Sequence, residues 1–425
     1  ETPGPALTRS NASRIRSDAS LQDYLRAAAL NNAGLKAAFH DWKAALQRIP
    51  QAGALPDPRF TYTYYIEQVE TRVGPQEHKI GIRQVFPWFG TLRARRDAAA
   101  AAAAAAHETY EKRKLALFLR VKTAYYEYWY LARALAVTRE HIELVSHMES
   151  VARIRFKAGA AANSAVIQAQ VELGKLDDRL RGLEALRDPI VATLNAALNR
   201  PAQLALPWPT DIPQHAAAFT DDDALRWLAE HNPDLNRLEH LANRADSSIR
   251  LAQKQVFPDI TLGVDYVQTA EALMPGTPDS GKDPLMAMVS VNLPIRFGKY
   301  RAAAREARLH KAAVAHERND TGNRLAADLQ MALYRLRDAE RKVDLYGATL
   351  IPKAEQSLKV AQQDFETGKT TFMALMDAER QLLEFELARE RARADRGQHL
   401  AEVEMLTGRE TDDGPALRGL SAGGS

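Results

Sequence analysis

The side chains able to do chemistry in this chain are few and scattered. Glu143 and His147 stand one helical turn apart, as do His107 and Glu111. Two ligands leave a divalent ion half-coordinated, however, and the same spacing serves ordinary ion pairs. Met274, Met286 and Met288 offer thioethers suited to copper(I), yet Met286 and Met288 fall on the strand face opposite Val289 and Val291, where filling an interior is the plainer role. There is no cysteine, which excludes disulfides, thiolate metal sites and a thiol nucleophile. No Gly-x-Ser-x-Gly, Gly-x-x-x-x-Gly-Lys or His-Glu-x-x-His motif is present, nor a dinucleotide fingerprint in its required strand and helix. The expectation is no enzyme, no cofactor and no resident metal. What remains is a set of charges: Asp377, with Gln168 as its counterpart 209 positions earlier (377 − 168), and Lys157 and Lys369. A single acid on a helix is ordinarily solvated. Carboxylates from several copies on one axis would instead repel, raise each other's pKa and favour cations.

The elements that must position these charges are written twice. Pro58-Arg59-Phe60 opens a strand, Gln84-Val85-Phe86-Pro87-Trp88-Phe89-Gly90 closes a hairpin, and Phe156-Lys157-Ala158-Gly159 breaks a long helix. Pro258-Asp259-Ile260, Asn292-Leu293-Pro294-Ile295-Arg296-Phe297-Gly298 and Phe365-Glu366-Thr367-Gly368 repeat the series. Gly90 to Gly298 is a step of 208 and Gly159 to Gly368 a step of 209. The chain therefore divides into an extended arm at 1–20, a first repeat at 21–200, a Pro-rich linker at 201–220, a second repeat at 221–409 and a flexible tail at 410–425. Each repeat holds a helix, a strand hairpin (58–86 and 258–293), a long helix (91–158 and 299–367) and a return helix (163–199 and 371–408). A first helix from about Leu21 to Gln47 is expected to stop before Pro50.

In the hairpins apolar residues alternate with polar ones, the period of a strand with one greasy face. Phe60, Tyr62 and Tyr64, Ile80 and Ile82, Ile260, Leu262 and Val264, and Val289 and Val291 form that face, with Tyr62, Tyr64 and Tyr266 suited to an aromatic girdle. Each strand approaches the roughly 9–11 residues that cross a bilayer at a tilt. No apolar run is long enough for a membrane helix. The long helices, near 100 Å at ~1.5 Å per residue, keep a spacing of three, four or seven through Tyr128, Leu131, Leu135, Thr138, Ile142, Val145, Ala152 and Phe156. That is a seam for helices packed side by side. The aromatic cluster Tyr125, Tyr126, Tyr128, Trp129 and Tyr130 reads as packing between them. Net charge is +3, from 57 basic and 54 acidic residues, so nothing points to nucleic acid. The chain opens at Glu1 rather than Met, the start expected of a processed protein.

Four strands with a greasy face cannot lie in lipid as an open sheet, because edge amides in hydrocarbon cost several kcal/mol each. A single-chain barrel needs at least about eight strands, so several copies must share one. Three copies would supply twelve strands and two would supply eight, and the residues alone do not choose.

The ordered set of hairpins, closing turns and tips, including Ala169-x-x-x-Leu173 and Leu375-x-Asp377-Ala378-x-x-x-Leu382, resembles the TolC-type outer-membrane efflux proteins from about Leu21 to Arg409. The Gln84–Gly90 and Val289–Pro294 stretches are most similar to the heavy-metal branch of CusC and CzcC. The resemblance implies a mainly helical fold with a small β part: a homotrimer, a shared 12-stranded barrel in outer-membrane lipid and an α-barrel of long helical hairpins through the periplasm. It further implies a passive exit duct, fed by a periplasmic adaptor protein and an inner-membrane pump of the resistance-nodulation-division class, with heavy-metal cations as cargo. Asp377 and Gln168 would stand at the gate, and Lys157, Gly159, Ala160, Gly368, Lys369 and Thr370 at the adaptor-contact tips. Pro87, Gly90, Pro294 and Gly298 would turn barrel into helix. Ala374 and Thr370 replace an acid and a base often found in that gate. The same duct serving drugs or type I protein secretion is one alternative, and a soluble coiled-coil scaffold another.

Overall fold

The computed structural model describes residues 15–16, 18–209, 212 and 219–409. The arm before residue 15, part of the linker and the tail at 410–425 lie outside the described residues. The fold is mostly helical with one small sheet.

Both repeats start in the same way. Ser20 caps α1 (Leu21–Asn31) and Thr220 caps α6 (Asp221–His231), each in a reciprocal capping box with the aspartate three residues on, Asp23 or Asp223. Asn32 and Asn232 then interrupt the helix. The Asn32 amide donates to the Ala197 carbonyl at 3.0 Å and the Asn232 amide to that of Leu406 at 2.8 Å, so each break is fastened to the end of its own return helix. The single first helix expected to end before Pro50 is thus two: α1, and α2 (Ala33–Gly53), which runs through Pro50.

The strands are β1 (Arg59–Tyr64), a two-residue β2 (Glu70–Thr71), β3 (Gly74–Phe86), β4 (Ile260–Thr269) and β5 (Leu285–Val291). They form one antiparallel sheet in the order β1-β3-β4-β5, with β2 paired to β3. The two hairpins therefore lie side by side, and β1 and β5 are left as edges. α7 (Pro233–Lys254) leads into the second hairpin.

The long helix of the first repeat, α3 (Thr91–Lys157), is continuous over 67 residues. Its counterpart is α8 (Phe297–Asp344), one π-helical segment at Leu345–Leu350, and α9 (Ile351–Thr367). The return helices are α4 (Asn163–Ala185) and α5 (Arg187–Ala197), which meet at Leu186, and α10 (Phe372–Thr407).

The described chain falls into two compact units that cut across the repeats. One holds Glu1–Ala38, Tyr110–Pro233 and Gly322–Ser425, the other Phe39–Thr109 and Asp234–Thr321. In the first unit two apolar clusters form the core. One gathers Tyr24, Tyr125, Tyr128, Leu131, Leu194 and Leu198, with Tyr128 stacked on Trp208 at 4.7 Å and its hydroxyl donating to the Leu206 carbonyl at 3.1 Å. The other, toward the helix tips, gathers Val145, Met148, Ala152, Ala169, Phe365, Phe372 and Leu375. The sheet belongs wholly to the second unit.

Candidate functional site

Two places carry the functional expectations, and each is built from local sequence. At the tips, Gly159 (φ 73°) and Gly368 (φ 78°) end their helices in the left-handed conformation that closes an open last turn. The second tip is better finished: the Thr371 hydroxyl accepts from the Ala374 N–H at 3.3 Å, whereas Ala162 brings no side chain to the start of α4. Lys157, Gly159, Ala160, Gly368 and Lys369 are exposed and Thr370 is half-buried. Arg155, which sequence reasoning missed, joins the two tips. It donates to the carbonyl of Glu366, and at 3.3 Å to that of Ala160, with its guanidinium 5.0 Å from the Phe365 ring centre. Its signal was its place in the last turn of α3, where a basic residue reaches free carbonyls.

Asp377 lies exposed on the second turn of α10 and Gln168 half-buried on α4. Among the described residues no hydrogen bond joins them. Asp377 is paired with Arg380 at 3.2 Å, and Arg380 reaches on to Glu172 of α4 with two hydrogen bonds, 2.6 and 3.0 Å. Glu172 is buried. Burial pushes its carboxyl up, but the hydrogen bond and charge of Arg380, helped by Lys175, prevail and hold it below the usual carboxylate range. The expected acid is therefore one end of a three-residue chain that ties α10 to α4.

Deeper along α10 the seam with α3 is polar in places. His141 is buried with both ring nitrogens engaged, Nδ1 with Glu379 at 2.8 Å and Nε2 with Glu386 at 3.0 Å. Burial alone would lower its pKa; the two carboxylates outweigh that and push it up to about 9, so the ring is an imidazolium. Glu390, fully buried, pairs with Arg133, Arg389 and Arg393, and Lys122 pairs with Glu404. His141 sits three residues after Thr138 and four before Val145, on the seam itself, and that spacing was the available signal. His107 instead meets Trp42 edge-on at 4.7 Å. Among the described residues no group of three or more His, Asp or Glu side chains is placed to hold a metal ion.

The second place is the sheet, whose faces are inverted relative to a water-soluble one. Phe60, Tyr62, Tyr64, Ile80, Ile82, Leu262, Val264, Val289 and Val291 are all exposed, and Ile260 half-exposed. The register sets Ile82 between Phe60 and Val264, and Leu262 beside Val289, so these side chains share one face. On the other face Asp265 is buried between Lys79 (3.0 Å) and Arg83 (3.5 Å). Gly81, its register partner, supplies the room: a Cβ there would meet Asp265 Oδ1 at 2.1 Å. Pro87 and Gly90 fall in the link from β3 to α3, and Pro294 in the link from β5; Gly298 lies in the first turn of α8. No described helix is long and apolar enough to cross a membrane.

A unit built on a sheet with an exposed apolar face, and a second unit of long packed helices, mark a known class of protein. The Outer membrane efflux protein family model matches residues 24–200 and 225–409, and the chain belongs to that family, whose members are channels and not enzymes. It is 29% identical over 304 residues to Outer membrane protein OprJ of Pseudomonas aeruginosa, covering 69% of this chain and 61% of OprJ. It is 27% identical over 259 residues to Toxin and drug export protein A of Aggregatibacter actinomycetemcomitans, covering 59% and 56%, and 26% identical over 313 residues to Toluene efflux pump outer membrane protein TtgI of Pseudomonas putida, covering 69% and 62%. The matched region thus spans about three fifths of these relatives' length. Among solved structures the fold is similar to VceC of Vibrio cholerae (TM-score 0.74, 18% identity, covering 92% of this chain and 97% of that one) and to CusC (0.76, 14%, 92% and 92%).

Proposed function

We propose that the chain is the outer-membrane exit duct of a tripartite efflux system, a passive conduit assembled from three copies. The observation that carries this is the sheet, with aliphatic and aromatic side chains facing out, an ion-paired face turned in, and two edges whose amides need partners. Three copies close twelve strands into a barrel, and the long helices continue it into the periplasm. The tips around Gly159 and Gly368 meet an adaptor, fed by a pump of the resistance-nodulation-division class. The gate lies at Asp377 and Gln168, and the Asp377–Arg380–Glu172 chain supports its resting position by holding α10 to α4. The test is twofold. The purified protein should require detergent and crosslink as a trimer, and Asp377→Ala should raise single-channel conductance and lower cation preference in planar bilayers. A monomer extracted into plain buffer would end the duct reading; unchanged conductance and selectivity would remove Asp377 from the gate.

For cargo, relatives named for drug, toxin and toluene export support small organic solutes. Heavy-metal cations form the second reading, favoured by the closing turns at 84–90 and 289–294. Restoring the chain to a host that lacks it, beside its own pump and adaptor, separates the two. Growth rescue on toluene or dyes supports the first, and rescue only on copper or zinc salts supports the second.

A further inference from the structure

The turn that closes the first hairpin walls a groove that the duct reading does not use. Leu55, Phe86, Trp88, Phe89, Leu92 and Ile260 line about 270 Å³. Phe86 and Ile260 are register partners at the helical end of the outward apolar face, so the groove extends that face beyond the last strand residue. Trp88 stacks on Phe257 at 5.0 Å with the rings 8° apart, and Phe89 is 77% exposed. Such rings suit the polar border of a membrane, where one side is hydrocarbon and the other wet.

The helical end of the groove is cationic. Arg96 lies one turn beyond Leu92 on the same face of α3, and its stem packs beside Gly53, 3.3 Å from where a Cβ would stand. Lys254 Nζ donates to the Phe89 carbonyl at 2.9 Å, which leaves two of its three N–H donors for another group. Of the nearby acids, Asp97 pairs with Arg250 at 3.8 Å and Asp259 accepts from the Trp88 N–H at 3.2 Å. Among the described residues Arg93, Arg95 and Arg96 have no carboxylate partner.

We propose that this groove holds one anionic phospholipid of the periplasmic leaflet, of the phosphatidylglycerol type. Its acyl chain lies along Phe86, Trp88 and Ile260, and its phosphate sits on Lys254 and Arg96. Charge decides the headgroup. A zwitterionic lipid brings an ammonium into a cluster of cations, and an anionic one does not. The proposal rests on the duct reading, because only a sheet embedded in a bilayer meets this leaflet.

The test uses the full chain reconstituted in vesicles, with flotation after an alkaline wash as the separate measure of membrane insertion. Tryptophan quenching is titrated with brominated-chain phosphatidylglycerol or phosphatidylcholine, and Trp88→Phe identifies the Trp88 share. That share should reach half-quenching at a mole fraction at least about fivefold lower for phosphatidylglycerol, the worth of one basic residue beside an anionic headgroup. Lys254→Gln and Arg96→Gln should each raise the phosphatidylglycerol midpoint about fivefold and leave flotation unchanged. Equal midpoints for the two lipids, or a midpoint unmoved in both variants, would overturn the site while the duct stands. So would a floating protein whose Trp88 neither lipid quenches, since a sister chain would then cover the groove. Protein that fails to float refutes the duct, and the lipid site with it.

Discussion

The two repeats follow one plan, yet one pair of equivalent tyrosines ends in opposite surroundings. Tyr126 of α3 is buried beside Tyr125, ring centres 6.1 Å apart, while Tyr334 of α8, 208 positions on (334 − 126), is 66% exposed. Elsewhere the helices agree: Leu117 and Val121 of α3 and, 208 positions on, Leu325 and Leu329 of α8 are all buried, although α8 also exposes Leu309 and Met331. Both long helices bury an apolar stripe, and the second also turns Leu309, Met331 and Tyr334 outward. Duplication preserved the spacing and the buried stripe but not every surrounding, and on the proposed duct reading the exposed apolar groups of α8 are the ones left to meet sister chains.

The largest effect that would sharpen this contrast is at the tyrosines. Tyr126→Ala should lower unfolding stability by about 3–5 kcal/mol, the range for emptying a buried aromatic site. Tyr334→Ala should change it by about 1 kcal/mol or less and instead loosen the association of copies, seen as dissociation at lower temperature in dodecyl sulfate. Equal losses in melting would break the comparison.

Next is the charge buried in the seam between α3 and α10. The His141 pKa rises from an ordinary 6.5 to about 9 in the folded chain, so its contribution is complete below pH 6.5 and fades as pH climbs through 9. Melting followed from pH 6 to 10 should show about 3 kcal/mol lost. His141→Gln should flatten that slope, and an unaltered slope would place the titrating group elsewhere. Smaller again is Arg380→Gln, which strips buried Glu172 of its main partner. A loss of about 1–3 kcal/mol is expected, together with a more open resting channel in planar bilayers; closed channels would show that α10 is held by its apolar contacts alone.

The smallest effect concerns the one-residue difference between the repeats. The step between copies grows from 208 at the hairpin turn to 209 at the tip, and the π-helical segment at Leu345–Leu350 lies between. A wider turn takes up one extra residue without rotating the faces that follow. Deleting Gly347 should therefore restore an α-helix with the same tip at a cost of about 1 kcal/mol, whereas deleting Leu329 from α8 should turn the helix face and unfold the chain. Circular dichroism of the two deletions distinguishes them.

Much of this was legible in sequence because it is local. Alternation at Phe60–Tyr64 and Ile260–Tyr266, the glycines at 159 and 368, and the heptad spacing from Tyr128 each signal within a few residues what the backbone will do. The one extra residue was visible too, but a count does not say where the helix widens. His141 with Glu379 is a pair 238 residues apart, and Arg380 with Glu172 is 208 apart. The seam spacing marks His141 for burial, but no local pattern names the distant partner that either residue of such a pair will meet. The break at Asn32 was hidden for the same reason, its partner being the Ala197 carbonyl.

In the proposed duct, the strand order β1-β3-β4-β5 has a consequence for how copies would recognise each other. The two borders of the sheet differ, Arg59–Tyr64 on one side and Leu285–Val291 on the other, so joining in the proposed ring is head to tail. A growing ring keeps one dangling border at each end until the last member arrives, and sealing removes both at once. Partial rings are thus unprotected, and a subunit damaged along either border would poison the whole circle, acting as a dominant inhibitor of its healthy siblings.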